Sequence, residues 1–396
     1  MTMRRFLAVT HEATITGAPI NLYHLLGWLR RNTDVEVHTL ILRDGPLREW
    51  FAEHGDVTVL DRNVVTKGLG VVQQGLVHLG SSRAWHPVAK ARLTPQLRHL
   101  RDFDMAYMNS STSLAGAEFL PPTRSVVSHV HELQVALRTW TPEHNREMFR
   151  TVPDRWIAAS GAVRDLLVDE IRIPSDKVLL HHEFIDTKKL LSREVSLREL
   201  EATRRSEGID QDAAVVLGTG TLDWRKGPDL FVQLAAELGR RSDRPVELVW
   251  VGGDMGGTDW QRVRSDIERT GVDNVHFVGL KKDPMPWFAM ADVFALTSRE
   301  DPFPLVCLEN ATLGTPIVTY RNGGMPELLE AAGPEAAQGI IEYLDVGAMA
   351  KQIMALLSSE DLAKRAGTQL RDRVISTHDV DVAAPKLAED LMALLD

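Results

Sequence analysis

Cysteine is nearly absent from this chain: Cys307 is the only one in 396 residues. One cysteine builds neither a disulfide framework nor a cysteine-based zinc cluster, which suits a reducing compartment. An excess of positive charge is missing too. The formal net charge is −10, which argues against a nucleic-acid partner, because binding a phosphate backbone needs a basic face. Long apolar runs are also lacking. Met1-Thr2-Met3-Arg4-Arg5 precedes an apolar stretch of only residues 6–9, too short for a secretory leader or a membrane span. The expected location is the cytoplasm or the inner face of its membrane. No short repeat or low-complexity tract interrupts the sequence. There is no Gly-x4-Gly-Lys-Ser/Thr loop, and after Gly218-Thr219-Gly220 Asp223 stands where a dinucleotide fingerprint requires its third glycine. P-loop and nicotinamide chemistry both lose ground.

What is present is an ordinary globular composition, 44% apolar and 25% charged, in a chain long enough for two or three domains with separate cores. Short β-rich runs alternate with amphipathic helical patterns. In the first half strands are expected at 6–10, 35–42, 57–60, 105–109, 125–130, 156–159 and 178–182; in the second at 213–217, 247–251, 275–278, 293–296, 316–320 and 339–343. Continuous apolar strands alternating with helices predict parallel sheets covered on both faces. Two such series, separated by the charged segment 188–212, predict Rossmann-like domains over 1–187 and 188–371, followed by a helical segment over 372–396. Leu387, Leu391, Leu394 and Leu395 share one face of that segment, and Pro385 is expected to break or start a helix there. Ligands of open α/β sheets bind beyond the carboxyl ends of the strands.

The most informative run is Ser298-Arg299-Glu300-Asp301-Pro302-Phe303-Pro304-Leu305-Val306-Cys307-Leu308-Glu309, with Gly314-Thr315-Pro316 after it. Pro304 fits a first helical position, since its missing N–H would have no intrahelical partner. Asp301 then lies at the helix mouth and Glu309 two turns inside. A helix N-terminus offers unpaired N–H groups and a positive dipole end to a diphosphate. Carboxylates on either side accept hydrogen bonds from diols. A nucleotide-sugar presents sugar hydroxyls, a diphosphate and ribose hydroxyls in that order. The plainer alternative is a capping Asp301 and a solvated Glu309.

A second loop runs Gly218-Thr219-Gly220-Thr221-Leu222-Asp223-Trp224-Arg225-Lys226-Gly227-Pro228-Asp229. It reads as strand, glycine turn, basic pair, then a helix opened by Pro228. A basic pair beside a diphosphate neutralises charge as the nucleotide leaves; a solvated turn is the alternative. Tyr320-Arg321-Asn322-Gly323-Gly324-Met325-Pro326-Glu327 is a further strand-to-helix turn, whose paired glycines permit close backbone approach or positive φ. Glu327 reads equally as a ligand contact or a helix N-terminal acid.

In the first half, Thr10-His11-Glu12-Ala13-Thr14-Ile15-Thr16-Gly17-Ala18-Pro19 links a strand to the helical pattern Leu22, Leu25, Leu26, Leu29. Its small-residue turn leaves N–H groups free to point at a ligand. Ser128-His129-Val130-His131-Glu132-Leu133 ends an apolar strand, and alternation puts His129 and His131 on one face. With Glu132 they lack a convincing third or fourth metal ligand. Asp102-Phe103-Asp104 and Asp379-Val380-Asp381 each spell Asp-x-Asp, but the first precedes a strand and the second lies in a helical region, so no metal site is expected. Arg83, Lys90, Arg92, Arg98 and Arg101 either rest on an anionic membrane surface or solvate a helix.

The run from Asp301 to Glu309, with Gly314-Thr315-Pro316-Ile317-Val318, resembles the Glu-x7-Glu signature of the retaining glycosyltransferases of family 4, with Asp in place of the first Glu. The resemblance implies the GT-B fold: two Rossmann-like, doubly wound parallel-sheet domains facing a cleft, with a C-terminal helix crossing back to the first. It implies retention of anomeric configuration and no obligatory cofactor or metal. The donor sugar would be held by Asp301 and Glu300, the ribose by Glu309, and the diphosphate by Lys226, Arg225 and the backbone at Phe303, Pro304 and Leu305. Gly220, Gly323 and Gly324 would line the donor site, while Gly17 would lie near the diphosphate and acceptor and His131 by the reacting centre. The family's loop arginine falls on Thr221, so either Arg225 supplies the second charge or Lys226 carries more of it. The reaction implied is transfer of a hexose-type unit from a nucleotide diphosphate sugar, UDP being the default, to a hydroxyl of a glycan, glycolipid or small metabolite. Rivals are an epimerase, phosphorylase or hydrolase of the same fold, and a nucleotide-sugar-binding protein without turnover.

Overall fold

A computed structural model describes residues 4–60, 91–141, 143–242 and 244–395; Arg83 and Lys90 lie outside them. The chain divides into two compact units. Unit 1 comprises Met1–Ala159, Val163–His181 and Ala384–Asp396, and unit 2 comprises Ser160–Ala162 and His182–Ala383.

Unit 1 is built on a seven-stranded sheet of β1 (Arg5–Thr10), β2 (Glu36–Ile41), β3 (Asp56–Val59), β4 (Met105–Asn109), β5 (Ser125–Val130), β6 (Arg155–Ala158) and β7 (Val178–Leu180). Every pair is parallel, in the order β3-β2-β1-β4-β5-β6-β7. The central strands are covered on both faces: residues 6–10 of β1 and all of β4 are buried. That is why they read as unbroken apolar runs. The helices of this unit include α1 (Gly17–Asn32), entered from β1, and α2 (Gln134–Trp140), which follows β5.

Unit 2 repeats the plan with β8 (Ala214–Thr219), β9 (Val246–Val251), β10 (Val275–Gly279), β11 (Val293–Leu296), β12 (Ile317–Tyr320) and β13 (Ile340–Ile341), ordered β10-β9-β8-β11-β12-β13 and again parallel. The charged segment 188–212 is no open linker. It contains α3 (Leu197–Glu207), capped by the Ser196 hydroxyl accepting from Glu199 N at 3.2 Å and closed by Gly208 at φ 73°. On one face α4 (Pro228–Arg241) buries Leu230, Phe231, Leu234 and Leu238 in a core shared with Trp250 of β9 and Met349 and Ile353 of α7 (Val346–Ser358). The Phe231 and Trp250 rings meet edge-on at 5.2 Å. The other helices of unit 2 include α5 (Leu305–Thr312), α6 (Met325–Ala332) and α8 (Glu360–Thr377), and the chain ends in α9 (Val380–Ala393).

In the edge strands and the last helix the structure departs from the sequence expectation in three places: β7, β13 and Pro385. The edge strands β7 and β13 are shorter than 178–182 and 339–343, because an edge strand has a ladder on one side only; after Ile341 the chain turns away through Leu344 at φ 64°. Pro385 neither starts nor ends a helix but lies inside α9, whose first turn is capped by Asp379 Oδ1 accepting from Asp381 N at 2.9 Å. The division between units falls at Ala383/Ala384, just before that proline. Both Asp-x-Asp pairs are engaged by backbone: Asp104 Oδ2 accepts from Arg5 N at 2.8 Å, and Asp379 Oδ2 from Thr187 N at 3.2 Å.

The strand order reverses direction between β1 and β4 in unit 1 and between β8 and β11 in unit 2. In open α/β sheets, ligands bind beyond the carboxyl ends of the strands at such switch points. The sequence-predicted residues cluster in the loops at the carboxyl ends of these sheets. No helix among the described residues is long and apolar enough to cross a membrane.

Candidate functional site

In unit 2 the loop leaving β8 turns at Gly220 and re-enters a helix at Gly227, the residue preceding α4. Gly227 has φ 68°, and a Cβ there would lie 2.2 Å from the Thr297 carbonyl oxygen. Both conformation and space therefore require glycine. The Thr297 hydroxyl also donates to Gly227 O at 3.0 Å, so the loops after β8 and β11 are fastened together. Lys226 consequently reaches across the switch point: its Nζ lies 2.6 Å from Asp301 Oδ2. Ser298 Oγ donates to the same oxygen at 3.1 Å. The two residues assigned to diphosphate and donor sugar thus form an ion pair with each other, buried at its Asp301 end and partly exposed at Lys226.

Arg225 is placed differently. Its Nε lies 3.2 Å from Asp223 Oδ1, and its backbone N donates to the same oxygen at 2.9 Å. Asp223 also accepts from the Thr221 hydroxyl. Asp223 therefore gathers Arg225 and Thr221 into one knot.

Arg299 and Asp229, which the sequence reading did not single out, hold the whole arrangement. Arg299 makes two parallel bonds to Asp229 at 2.8 and 2.7 Å, donates to Trp224 O at 3.0 Å, and lies over the Trp224 ring at 5.3 Å from its centroid. Its backbone N donates to Arg225 O at 2.6 Å. Burial works against ionisation of Asp229, but the Arg299 bonds outweigh it and hold the carboxyl below its ordinary range. We expect Arg299→Met to lower stability by about 2–4 kcal/mol, because it leaves Asp229 desolvated and unpaired. Urea unfolding at neutral pH measures this, and a loss within about 0.5 kcal/mol would show that the clamp contributes only as an exposed pair does.

The loop 299–304, between β11 and α5, is pinned by the turn after β12. Asn322 Nδ2 donates to Arg299 O, and Gly324 N donates to Pro302 O at 2.8 Å. A Cβ on Gly324 would lie 2.4 Å from Phe303 Cδ2, so Gly324 lets the Phe303 ring sit down on the turn. Gly323, at φ 66°, makes the bend. The Phe303 ring is buried and stacks on His182 at 4.7 Å. Glu327, at the start of α6, accepts from His182 Nε2 at 2.9 Å and from the amides of Gly161 and Ala162 at 3.1 and 3.3 Å. Burial opposes its ionisation, yet these bonds prevail and keep its carboxyl below the usual value. Glu327 is thereby occupied by the protein.

Helix α5 begins at Leu305, with Pro304 as its N-cap residue. Glu309 therefore lies just over one turn into the helix rather than two, because 299–304 form a loop. Pro304 has no N–H to offer, so the donors at this end are Leu305 and Val306, which have no carbonyl one turn earlier. Glu309 is half-buried. Its carboxylate makes no hydrogen bond or ion pair to a described residue, and desolvation raises its pKa to about 7. Cys307, two residues earlier, is fully buried, and burial pushes its thiol well up; it is inert. Glu300 sits half-exposed at the loop's start, with its amide 3.3 Å from Arg225 O.

In unit 1 the loops after β1, β4 and β5 converge. Gly17 opens α1 with open space where a Cβ would stand. His131 follows β5 and donates its backbone N to Glu132 Oε2 at 2.9 Å. Glu132 also accepts from Ser110 Oγ and from Ser111 N at 3.2 Å, so it braces the loop rather than standing beside the histidines as a ligand. The rings of His129 and His131 lie 4.0 Å apart, on the common face that alternation requires. His129 is fully buried, which drives its pKa well down and keeps it neutral. His11, at the end of β1, is shifted down by burial too, against the pull of Glu132.

Residues 200–373 match the family model described as glycosyl transferases group 1. Over 173 residues the chain is 35% identical to a D-inositol 3-phosphate glycosyltransferase of Corynebacterium urealyticum, a span of 41% of this chain and 39% of that protein. Over 181 residues it is 29% identical to an alpha-galactosylglucosyldiacylglycerol synthase of Streptococcus pneumoniae, covering 43% and 46%. The match thus spans less than half the length of these curated relatives. In fold, HepE of Anabaena in complex with UDP-glucose superposes with a TM-score of 0.77 at 18% identity, covering 98% of this chain and 99% of that one. The chain therefore has the GT-B architecture, and the part of it that resembles the glycosyl transferases group 1 family lies in the second unit.

Proposed function

We propose that this protein is a retaining glycosyltransferase that moves a hexose-type unit from a nucleotide diphosphate sugar to an acceptor hydroxyl, with UDP as the carrier. The observation that carries this reading is Glu309: a desolvated carboxylate without a partner among the described residues, one turn inside a helix whose first amides have no intrahelical acceptor. A carboxylate in that state is costly unless something else supplies donors, and a ribose diol supplies two. The diphosphate is then met by the amides of Leu305 and Val306 and by Lys226. Arg225, drawn by Asp223 toward Thr221, adds charge at the position where the family has its arginine. Asp301 and Glu300 accept from the donor sugar. Of the unit 1 residues, Gly17 is assigned to the diphosphate and acceptor and His131 to the reacting centre. UDP as carrier is supported by the UDP-glucose complex of the HepE fold relative.

In the reaction the anomeric carbon loses its bond to the β-phosphate oxygen and gains one to the acceptor oxygen on the same face. The acceptor proton passes to the departing phosphate. No metal is required in this scheme, because Lys226 and the helix N-terminus supply the positive charge. The acceptor is a glycan, a glycolipid or a small polyol.

A thermal-shift panel of UDP-, GDP- and ADP-sugars tests the donor assignment. A true donor at a hundred times its Kd stabilises the protein by about 2.7 kcal/mol, and UDP-sugars are expected to give the largest shift. Absence of a shift with every nucleotide-sugar would remove the donor site. A product assay without acceptor then separates transfer from hydrolysis or epimerisation, since a transferase releases only traces of nucleotide.

A further inference from the structure

Asn109 is fully buried at the carboxyl end of β4, the strand on the far side of the unit 1 switch point. One atom of its amide lies 2.9 Å from the carbonyl oxygen of Ala18 and the other 3.0 Å from His131 Nε2. A carbonyl oxygen only accepts, so the atom facing Ala18 is the Asn109 NH2 group. The atom facing His131 is then the amide oxygen, which also only accepts. His131 Nε2 must therefore carry a proton. An amide whose orientation is ordinarily a matter of choice is fixed here by a backbone group that admits one answer.

We infer that Asn109 is the positioning residue that sets the tautomer of His131. Neutral His131 has its proton on Nε2 and its lone pair on Nδ1, as its partner dictates. The same amide ties this choice to the loop that starts α1: the chain of bonds runs from His131 Nε2 to Asn109 and from Asn109 to Ala18, next to Gly17. Glu132 fixes the other end of the residue by accepting from the His131 backbone N. His131 is thus held at ring and backbone by two different side chains, both buried. All of these residues belong to unit 1. The assignment deepens the role proposed for His131 and rests on it for its catalytic meaning, but not for its chemistry.

The test reads the proton directly. In the full-length protein labelled with 15N-histidine, two-bond proton–nitrogen correlation spectra at about pH 8, above the ordinary histidine pKa, distinguish a protonated ring nitrogen from a bare one. His131 is assigned by its absence in His131→Gln. The wild type should show Nε2 protonated. Asn109→Leu, which removes the acceptor, should release a mixture of tautomers, and Asn109→Asp, which keeps an acceptor, should restore Nε2–H. A wild-type His131 protonated on Nδ1 overturns the inference, as does an Asn109→Leu spectrum unchanged from wild type. If Asn109→Leu does not fold, the wild-type and Asn109→Asp spectra still decide. Turnover by His131→Gln is a separate measurement: undiminished turnover would remove His131 from the reaction while leaving the tautomer result standing.

Discussion

Lys226→Ala should lower the rate of sugar transfer by about 10²–10³-fold, while weakening UDP binding far less. The reason lies in the partner Lys226 already has. Its charge is committed to Asp301 at 2.6 Å. A diphosphate that arrives must share or displace that bond, so much of the attraction it gains is offset by what the pair loses. As the glycosidic bond breaks, a further negative charge grows on the departing oxygen, and Lys226 meets that charge without any new desolvation. An interaction stronger in the transition state than in the ground state appears in kcat and not in Kd. Binding of UDP by calorimetry and turnover of the donor found by thermal shift are to be compared in the same variant. Equal losses in both would reduce Lys226 to a binding residue. The variant also strands Asp301, which is only 6% exposed and keeps Ser298 as its side-chain donor among the described residues. Melting curves are needed beside the kinetics.

The pairings around Lys226 were the least legible part of the sequence. All thirteen strands were expected within a few residues, since a parallel strand buried on two faces must be an apolar run wherever it occurs. The glycine turns were legible for a similar local reason: positive φ at Gly227 and Gly323 leaves few alternatives. Lys226 and Asp301 were each visible as motif residues, but nothing in a one-dimensional pattern says that residues 75 apart share a hydrogen bond. Arg299 lies inside the most informative run, but its partner, Asp229, stands 70 residues away in the chain, at the end of the other loop. Its signal would have been the charge itself: an arginine one residue from an acidic pair, at the end of a strand packed on both faces, must find a carboxylate. Asn109 gave no sign at all. It looked like the last residue of a strand, and only the register of β4 between β1 and β5 brings Ala18 and His131 to its two sides.

Glu309→Gln should separate the cost of the site from its use. The carboxyl has a pKa raised from about 4.5 to about 7, by desolvation alone. The folded protein therefore holds the proton more tightly than the unfolded chain. Stability falls as pH rises from the unfolded value through the folded one, and stays reduced above it. At about pH 8 the ionised group costs up to about 3 kcal/mol, an upper figure because the side chain is half-buried rather than sealed. Glutamine carries no charge to desolvate. The variant is expected to be more stable than wild type at pH 8, with the difference closing below about pH 5. Urea midpoints across that range measure it. Nucleotide binding should move the other way: losing the charged acceptor for the ribose diol weakens UDP by about 1–3 kcal/mol. The two effects are linked through the proton. A diol that donates to the ionised carboxylate lowers its pKa, so wild-type protein should release protons on binding UDP between about pH 5 and 7. Calorimetry in buffers of different ionisation enthalpy detects that release, and Glu309→Gln should abolish it. If the variant gains no stability at high pH, the carboxylate is solvated and its isolation is not the mark of a ligand site. If stability rises while UDP affinity and proton release are unchanged, Glu309 is a strained carboxylate that the ribose does not touch, and the donor must lie elsewhere along the carboxyl ends of β8 and β11.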